Sequence, residues 1–291
     1  MTPALEARNV TKSFGADGVL AGVDLAVEEG ELLVLLGPNG VGKTVLLTCL
    51  AGSSAPTEGE VTVFGDPVAE DRGERLSFLL QGSMCSATLS GRENAEFYER
   101  LHPAFTDRWR EYVERLGVAG DLDRRVGDYS AGMTRKLELS LALSIDVPVY
   151  LLDEPTAGVD LTMIGEFHDI ITDLHDRGRT FVVTSHRPMD ADLADRLAVI
   201  REDGVAATGT PDDLLADVPP VVRVDGTSAV DAAEPHVRES QLFPAGGEFR
   251  GFLRESASVA NVEAAVSDAG ASATVTDPTY ADLFNYYVHV I

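Results

Sequence analysis

Gly37-Pro38-Asn39-Gly40-Val41-Gly42-Lys43-Thr44 follows the apolar run Leu32 to Leu36 and leads into Val45-Leu46-Leu47-Thr48-Cys49-Leu50. The pattern GxxxxGKT suits phosphate chemistry. Its glycines let successive backbone N–H groups curl around phosphate oxygens, a helix N-terminus lies behind them, the lysine meets β/γ charge, and the hydroxyl serves Mg²⁺. A bound nucleoside triphosphate is the implied ligand. A plain glycine-rich turn is the bland alternative, and the buried-type strand ahead of the loop argues against it.

Other polar residues end apolar runs. Val149-Tyr150-Leu151-Leu152 terminates in Asp153-Glu154-Pro155, and burying such a carboxylate pair is costly unless a cation is present. Asp153 suits a Walker B role on Mg²⁺, and Glu154 suits orienting or deprotonating an attacking water. A solvated turn is the alternative. Leu76 to Leu80 ends at Gln81, and Phe181 to Thr184 presents Ser185 and His186. Ligands of open α/β sheets collect at the carboxyl ends of strands, so Gln81 and His186 are expected to face the phosphates. Ser130 stands ahead of Leu137, Leu141 and Ile145 at helical spacing, as an N-cap whose helix end either receives an anion or is merely capped. Phe14, just before Gly15, either stacks on a nucleobase or fills the core.

The elements that must position these groups are legible in outline. Residues 5 to 64 alternate apolar and polar over short spans, as half-buried antiparallel strands do, and flank the continuous run Leu32 to Leu36. A mixed sheet is expected. A helical insertion follows, with a capping box at Ser90-Gly91-Arg92-Glu93 and one apolar helical face at Phe105, Trp109, Val113 and Leu116. Met163, Phe167, Ile170, Ile171 and Leu174 mark a helix closed at Gly178. Asp203-Gly204 is a hairpin signal, and Thr210-Pro211 opens a short helix to Ala216. Pro219-Pro220 then breaks the chain, which sets the expected boundary between residues 1–218 and a small α/β unit over 219–291. That unit is expected to hold strands near Phe249–Leu253 and Ala273–Val275, a helix ending at Gly270 and a last helix from Thr279 to Tyr287. It offers no phosphate-directed groups.

The order and spacing of the phosphate loop, Gln81, Ser130-Ala131-Gly132-Met133, Leu152-Asp153-Glu154-Pro155, Asp160 and His186 resemble the nucleotide-binding subunit of ATP-binding cassette (ABC) transporters over about residues 4 to 218. The resemblance implies an α/β P-loop NTPase of the ABC ATPase type, with a mixed sheet core, an antiparallel β subdomain and a helical subdomain. It further implies that ATP and Mg²⁺ are the cofactors and that Phe14 stacks on adenine. Gln81 joins Glu154 and His186 at the catalytic centre, joins Thr44 and Asp153 at the metal, and couples nucleotide to a membrane partner. Ser130, Gly132 and Asp160 belong to the nucleotide contacts, the segment from Ser130 closing on the ATP of an opposing subunit. The usual signature Leu-Ser-Gly-Gly-Gln is altered here: Tyr129 replaces the leucine, Ala131 the first glycine and Met133 the glutamine. The Ser130 and Gly132 positions survive. Val45 stands where Thr or Ser usually follows the metal-binding hydroxyl, a packing change that spares Thr44. Tyr-Ser-x-Gly-Met, Leu89 to Asn94 and Asp277 to Phe284 look like the daunorubicin-type exporter branch. Expected partners are separately encoded permease chains at the cytoplasmic face of the membrane and a second cassette, identical or not. A soluble ABC ATPase of the iron–sulfur assembly type is the alternative.

Composition bounds the rest. Two cysteines, Cys49 and Cys85, supply neither a disulfide framework nor a zinc cluster, and a reducing compartment is expected. The first residues lack a leader pattern, and no apolar run approaches the roughly 18 residues of a membrane span. Formal charge is −25, from 48 acidic and 23 basic residues, with lysine only at Lys12, Lys43 and Lys136. Such a field disfavours nucleic acid and anionic lipid. It suits a cell with molar internal salt, such as a halophilic archaeon, where repulsion is screened beyond about 3 Å. The thermal midpoint is therefore expected to fall as KCl drops from molar to tens of millimolar. Constant melting across that range would defeat the reading.

Overall fold

The computed structural model describes residues 2–71, 73–80, 82, 84–201 and 204–291; Gln81 and Asp203, both singled out above, lie outside them. The early alternation becomes β1 (Leu5–Phe14) and β2 (Asp17–Val27), an antiparallel pair that feeds β3 (Leu32–Leu36). Every residue of β3 is buried, as a continuous apolar run with layers on both faces requires. Its two faces serve two cores: Leu33 and Leu35 pack with Leu46 and Leu47, whereas Leu32, Val34 and Leu36 pack with Phe167 and Ile171. Each such side chain contributes roughly 1.5–3 kcal/mol relative to exposure. After α1 (Lys43–Leu50), β4 (Glu58–Val63) and β5 (Asp66–Pro67) complete an antiparallel sheet in the order β2-β1-β4-β5.

The chain then forms β6 (Leu76–Leu79), α2 (Gly91–Leu101), α3 (Trp109–Arg115), α4 (Ala131–Ala142), β7 (Val149–Asp153), α5 (Leu161–His175), β8 (Thr180–Ser185), β9 (Arg196–Arg201), β10 (Gly204–Gly209) and α6 (Pro211–Ala216). Its sheet runs β10-β9-β3-β8-β7-β6, parallel from β9 to β6, with β10 antiparallel at one edge. The carboxyl ends of β3, β6, β7 and β8 therefore share one rim. The capping box at Ser90 is present: its Oγ accepts the Glu93 N–H at 3.2 Å, and Glu93 Oε2 accepts the Ser90 N–H at 2.8 Å. Phe105 departs from expectation. α3 begins only at Trp109, so Phe105 packs from the preceding loop rather than along the helical face.

Beyond Pro219-Pro220 come β11 (Val221–Asp225), α7 (Val230–Ala233), β12 (Phe243–Ala245), β13 (Glu248–Phe252), α8 (Val259–Asp268), β14 (Ala273–Thr276) and α9 (Tyr280–His289). A third, antiparallel sheet has the order β12-β13-β11-β14. Four- and three-residue elements such as α7 and β12 carry too little periodicity to be read from sequence. Val222, Val224, Val262 and Val266 form a small core of their own. Val221, Phe252, Leu283, Tyr286 and Tyr287 instead join the core that holds Leu197, Val199 and Leu214. Apolar packing thus continues across the two prolines.

No helix among the described residues is long and apolar enough to cross a membrane. Cys49 and Cys85 are buried and form no disulfide, and burial pushes both thiols above their ordinary range, with Glu138 adding a smaller upward push on Cys85. An aromatic disulfide reagent at pH 8 is expected to react with both only after denaturant is added. Rapid reaction of either thiol in the native protein would contradict this packing.

Candidate nucleotide site

The phosphate loop leaves the rim at β3 and enters α1 through Gly42, whose φ of 96° is a left-handed geometry that a side chain would strain. Lys43, only 5% exposed, folds over the loop. Its Nζ donates to the carbonyls of Gly37 and Pro38, each at 2.8 Å, and lies 4.0 Å from Glu154 Oε1. Burial pulls the Lys43 pKa below the ordinary lysine value, against the opposing pull of Glu154 and Asp153. Asn39, Gly40, Lys43, Thr44, Val45 and Glu154 line a cavity of about 370 Å³. Val45 serves packing as well, reaching the core beneath α1.

At the end of β7, Asp153 is 0% exposed. Its Oδ1 accepts the hydroxyls of Thr184 at 2.6 Å and Thr44 at 3.2 Å. Oδ2 is buried with no hydrogen-bond partner among the described residues. A desolvated carboxylate oxygen left so is expensive, and carboxylate plus hydroxyl oxygens are the donors a hard divalent cation takes. The residues fit Mg²⁺ on that ground.

Glu154 sits at φ 45°, a left-handed value that costs a non-glycine residue on the order of 1 kcal/mol. Its N–H donates to the Thr184 carbonyl at 3.2 Å and to the Thr184 hydroxyl at 3.0 Å, which holds the strained turn. His186 Nδ1 lies 3.1 Å from Glu154 Oε1, close but without the alignment of a hydrogen bond. Buried Asp190 braces the same rim. Its Oδ2 accepts the hydroxyls of Ser185 at 2.5 Å and Thr156 at 3.2 Å, and its Oδ1 lies 2.9 Å from His168 Nε2.

Arg135 and Thr184 were not anticipated. From α4, the buried Arg135 guanidinium donates to the carbonyls of Leu80 at 2.8 Å, Glu154 at 3.1 Å and Asp153. Burial lowers its pKa, against the carboxylates of Glu138 and Asp153. The available signal was its stripe: Arg135, Glu138, Leu139 and Ala142 recur at i, i+3, i+4 and i+7, which puts two charges on an inward face. Thr184 left no signal beyond its place near a strand end.

Other expected site residues lie apart from the cavity walls. Phe14 is 55% exposed at the end of β1, with Lys12 Nζ 5.2 Å from its ring centroid, which rules out the core-filling alternative. Ser130 is exposed and caps α4, its Oγ accepting the Met133 N–H at 3.2 Å. Gly132 is needed for space, because a Cβ there would lie 2.9 Å from the Gly158 carbonyl oxygen. Asp160 is exposed at the head of α5 and makes no side-chain cap.

A family model described as ABC transporter matches residues 20–157. A daunorubicin resistance ATP-binding protein of Streptomyces coeruleorubidus is 35% identical over 222 residues, covering 74% of this chain and 70% of that protein. The chain belongs to the ATP-binding subunits of ABC transporters. A second daunorubicin resistance ATP-binding protein from the same organism is 34% identical and covers 80% of this chain and 81% of its own length. The Nod factor export ATP-binding protein I of Burkholderia orbicola is 34% identical and covers 72% of each chain. Among solved structures, an ATP-binding subunit of an ABC transporter superposes with a TM-score of 0.66 at 20% identity, covering 73% of this chain and 92% of that one. Members of this ABC ATPase family bind and hydrolyse ATP.

Arg135→Gln leaves the three carbonyls with fewer donors in poorer geometry. Turnover is expected to fall about tenfold or more, because Glu154 loses its backbone anchor, while ATP affinity changes less than about threefold. Wild-type turnover in a folded Arg135→Gln protein would show that the clamp does not set the site.

Proposed function

We propose that this chain hydrolyses ATP as one of a pair of cassettes and thereby powers an exporter whose membrane-spanning chains are separate polypeptides. The observation that supports the hydrolytic reading best is the pairing at residues 153 and 154. Asp153 keeps one buried oxygen without a donor beside the Thr44 hydroxyl, while Glu154 is held next to Lys43 and His186. In this reading Lys43 and the loop amides from Gly37 to Thr44 bind the β- and γ-phosphates. Thr44 and Asp153, completed by Gln81, would hold Mg²⁺, which when bound neutralises charge on the phosphate oxygens. Glu154 Oε1 takes the proton of the attacking water, and His186 steadies that carboxylate and reaches toward the γ-phosphate. The exposed Phe14 ring is available to stack on adenine.

The exposure of Ser130 and Asp160, away from this chain's own cavity, supports their use on the nucleotide of a second copy. Export is suggested by the names of the daunorubicin and Nod factor relatives. The working place would be the cytoplasmic face of a membrane, beside the permease chains. Residues 219–291 would be an accessory unit without catalytic groups, and the acidic surface would be an adaptation to high salt.

Glu154→Gln keeps shape and removes the proton acceptor. It is expected to bind ATP within about threefold of wild type, to lose roughly 100-fold or more in turnover, and to elute at twice its mass when ATP is present. Unchanged turnover would take Glu154 out of the base role. Failure of the twofold mass shift would count against pairing.

A further inference from the structure

We propose that α9 is a brace for His186, and that Arg250, Asp282 and Tyr287 are positioning residues for ATP hydrolysis although none of them reaches the nucleotide cavity. This rests on the assignment of Glu154 and His186 above.

α9 is held from both sides. On one side Leu283 and Tyr287 sink into the core shared with Ala191, Leu197 and Leu214, and the Tyr287 hydroxyl donates to the Leu214 carbonyl at 3.3 Å. On the other, the Tyr286 ring lies 5.1 Å from that of Phe252 on β13. The start of the helix is locked by an ion pair between the half-buried Arg250 and the buried Asp282. Arg250 Nε donates to Asp282 Oδ1 at 2.9 Å, and Nη2 donates to Oδ2 at 2.7 Å. Asp282 Oδ2 also accepts the Thr279 N–H at 2.8 Å, so one carboxylate fixes both the cap of α9 and its angle to β13. A bidentate pair constrains direction as well as distance.

α9 packs against β9, β10, α6 and the turn Pro188–Leu193, which begins two residues after His186. That turn contains Asp190, whose carboxylate holds Ser185 on one side of His186 and Thr156 just beyond Glu154. The path from Arg250 to the rim therefore runs through Asp282, α9, the turn Pro188–Leu193 and Asp190 by packed or hydrogen-bonded contacts. At its end, His186 Nδ1 stands 3.1 Å from Glu154 Oε1 without hydrogen-bond alignment. A displacement of an ångström or less decides whether that contact is made, and misplacement on this scale can cost about 100-fold in rate.

The test uses the full chain and measures steady-state ATPase activity, melting temperature and a double-mutant cycle with His186→Ala. Asp282→Asn keeps a capping oxygen but discharges the pair with Arg250. It is expected to lower kcat about tenfold while KM for ATP stays within about twofold. Arg250→Lys, which keeps the charge but loses the fork, is expected to retain more activity than Arg250→Ala. In the His186→Ala background, Asp282→Asn is expected to have no further effect. Multiplicative losses in that background, or an unchanged kcat in folded Asp282→Asn, would overturn the brace. If Asp282→Asn does not fold, Tyr287→Phe, which removes one hydroxyl, is expected to lower kcat about twofold to threefold only when His186 is present; equal rates would overturn the proposal. Wild-type turnover in His186→Ala would overturn the reading of His186 itself, whereas an impaired His186→Ala beside a fully active Asp282→Asn would defeat the brace alone.

Discussion

A carboxylate without exposed surface, Asp153, ends the buried strand β7, and much of the fold answers the question of how its charge is met. An isolated buried carboxylate costs several kcal/mol. Part of that cost is offset by the hydroxyls of Thr44 and Thr184, each delivered by a different element: the helix behind the phosphate loop and strand β8. Lys43 adds its charge from the same helix, and Arg135 brings another from α4. The parallel order of β3, β8 and β7 is what allows these groups to converge, since it turns three carboxyl ends toward one rim.

The same arrangement explains why Glu154 tolerates a left-handed backbone. Its amide is captured by Thr184 and its carbonyl by Arg135, so the strain is borne by groups already committed to Asp153. Asp153 and Glu154 are thus neighbours in sequence but differ in environment. One is sealed within the sheet, and the other faces the cavity beside Lys43 and His186.

Legibility in the sequence followed the reach of each interaction. The phosphate loop, the β3 and β7 runs and the Ser90 cap depend on neighbours a few residues away, and their patterns stood out. So did the Thr210 cap, whose hydroxyl accepts the Asp213 N–H at 3.2 Å. Arg135 bonds 55 residues back to Leu80, and Thr184 bonds 31 residues back to Asp153; no local period encodes either. Phe14 shows another limit, because an aromatic near a turn reads alike whether its ring is sheathed or bare. The tail was legible as strands and helices. Its shared core was hidden, since Leu283 and Tyr287 look the same whether they close a small unit or seal a larger one.

That shared core also has a direction in time. Tyr287 and the Leu214 carbonyl that it meets are 73 residues apart, and at ribosomal speeds of about 5–20 residues per second the partner follows roughly 4 to 15 seconds later. Until α9 emerges, the apolar flank built from Leu197, Val199 and Leu214 lacks the cover of Leu283, Tyr286 and Tyr287, although the phosphate loop and both strands beside it are already made. The nascent chain thus passes through an interval in which its motif-bearing part is complete and still adhesive. Sheltering that flank during synthesis is a task for chaperones rather than for the rim chemistry.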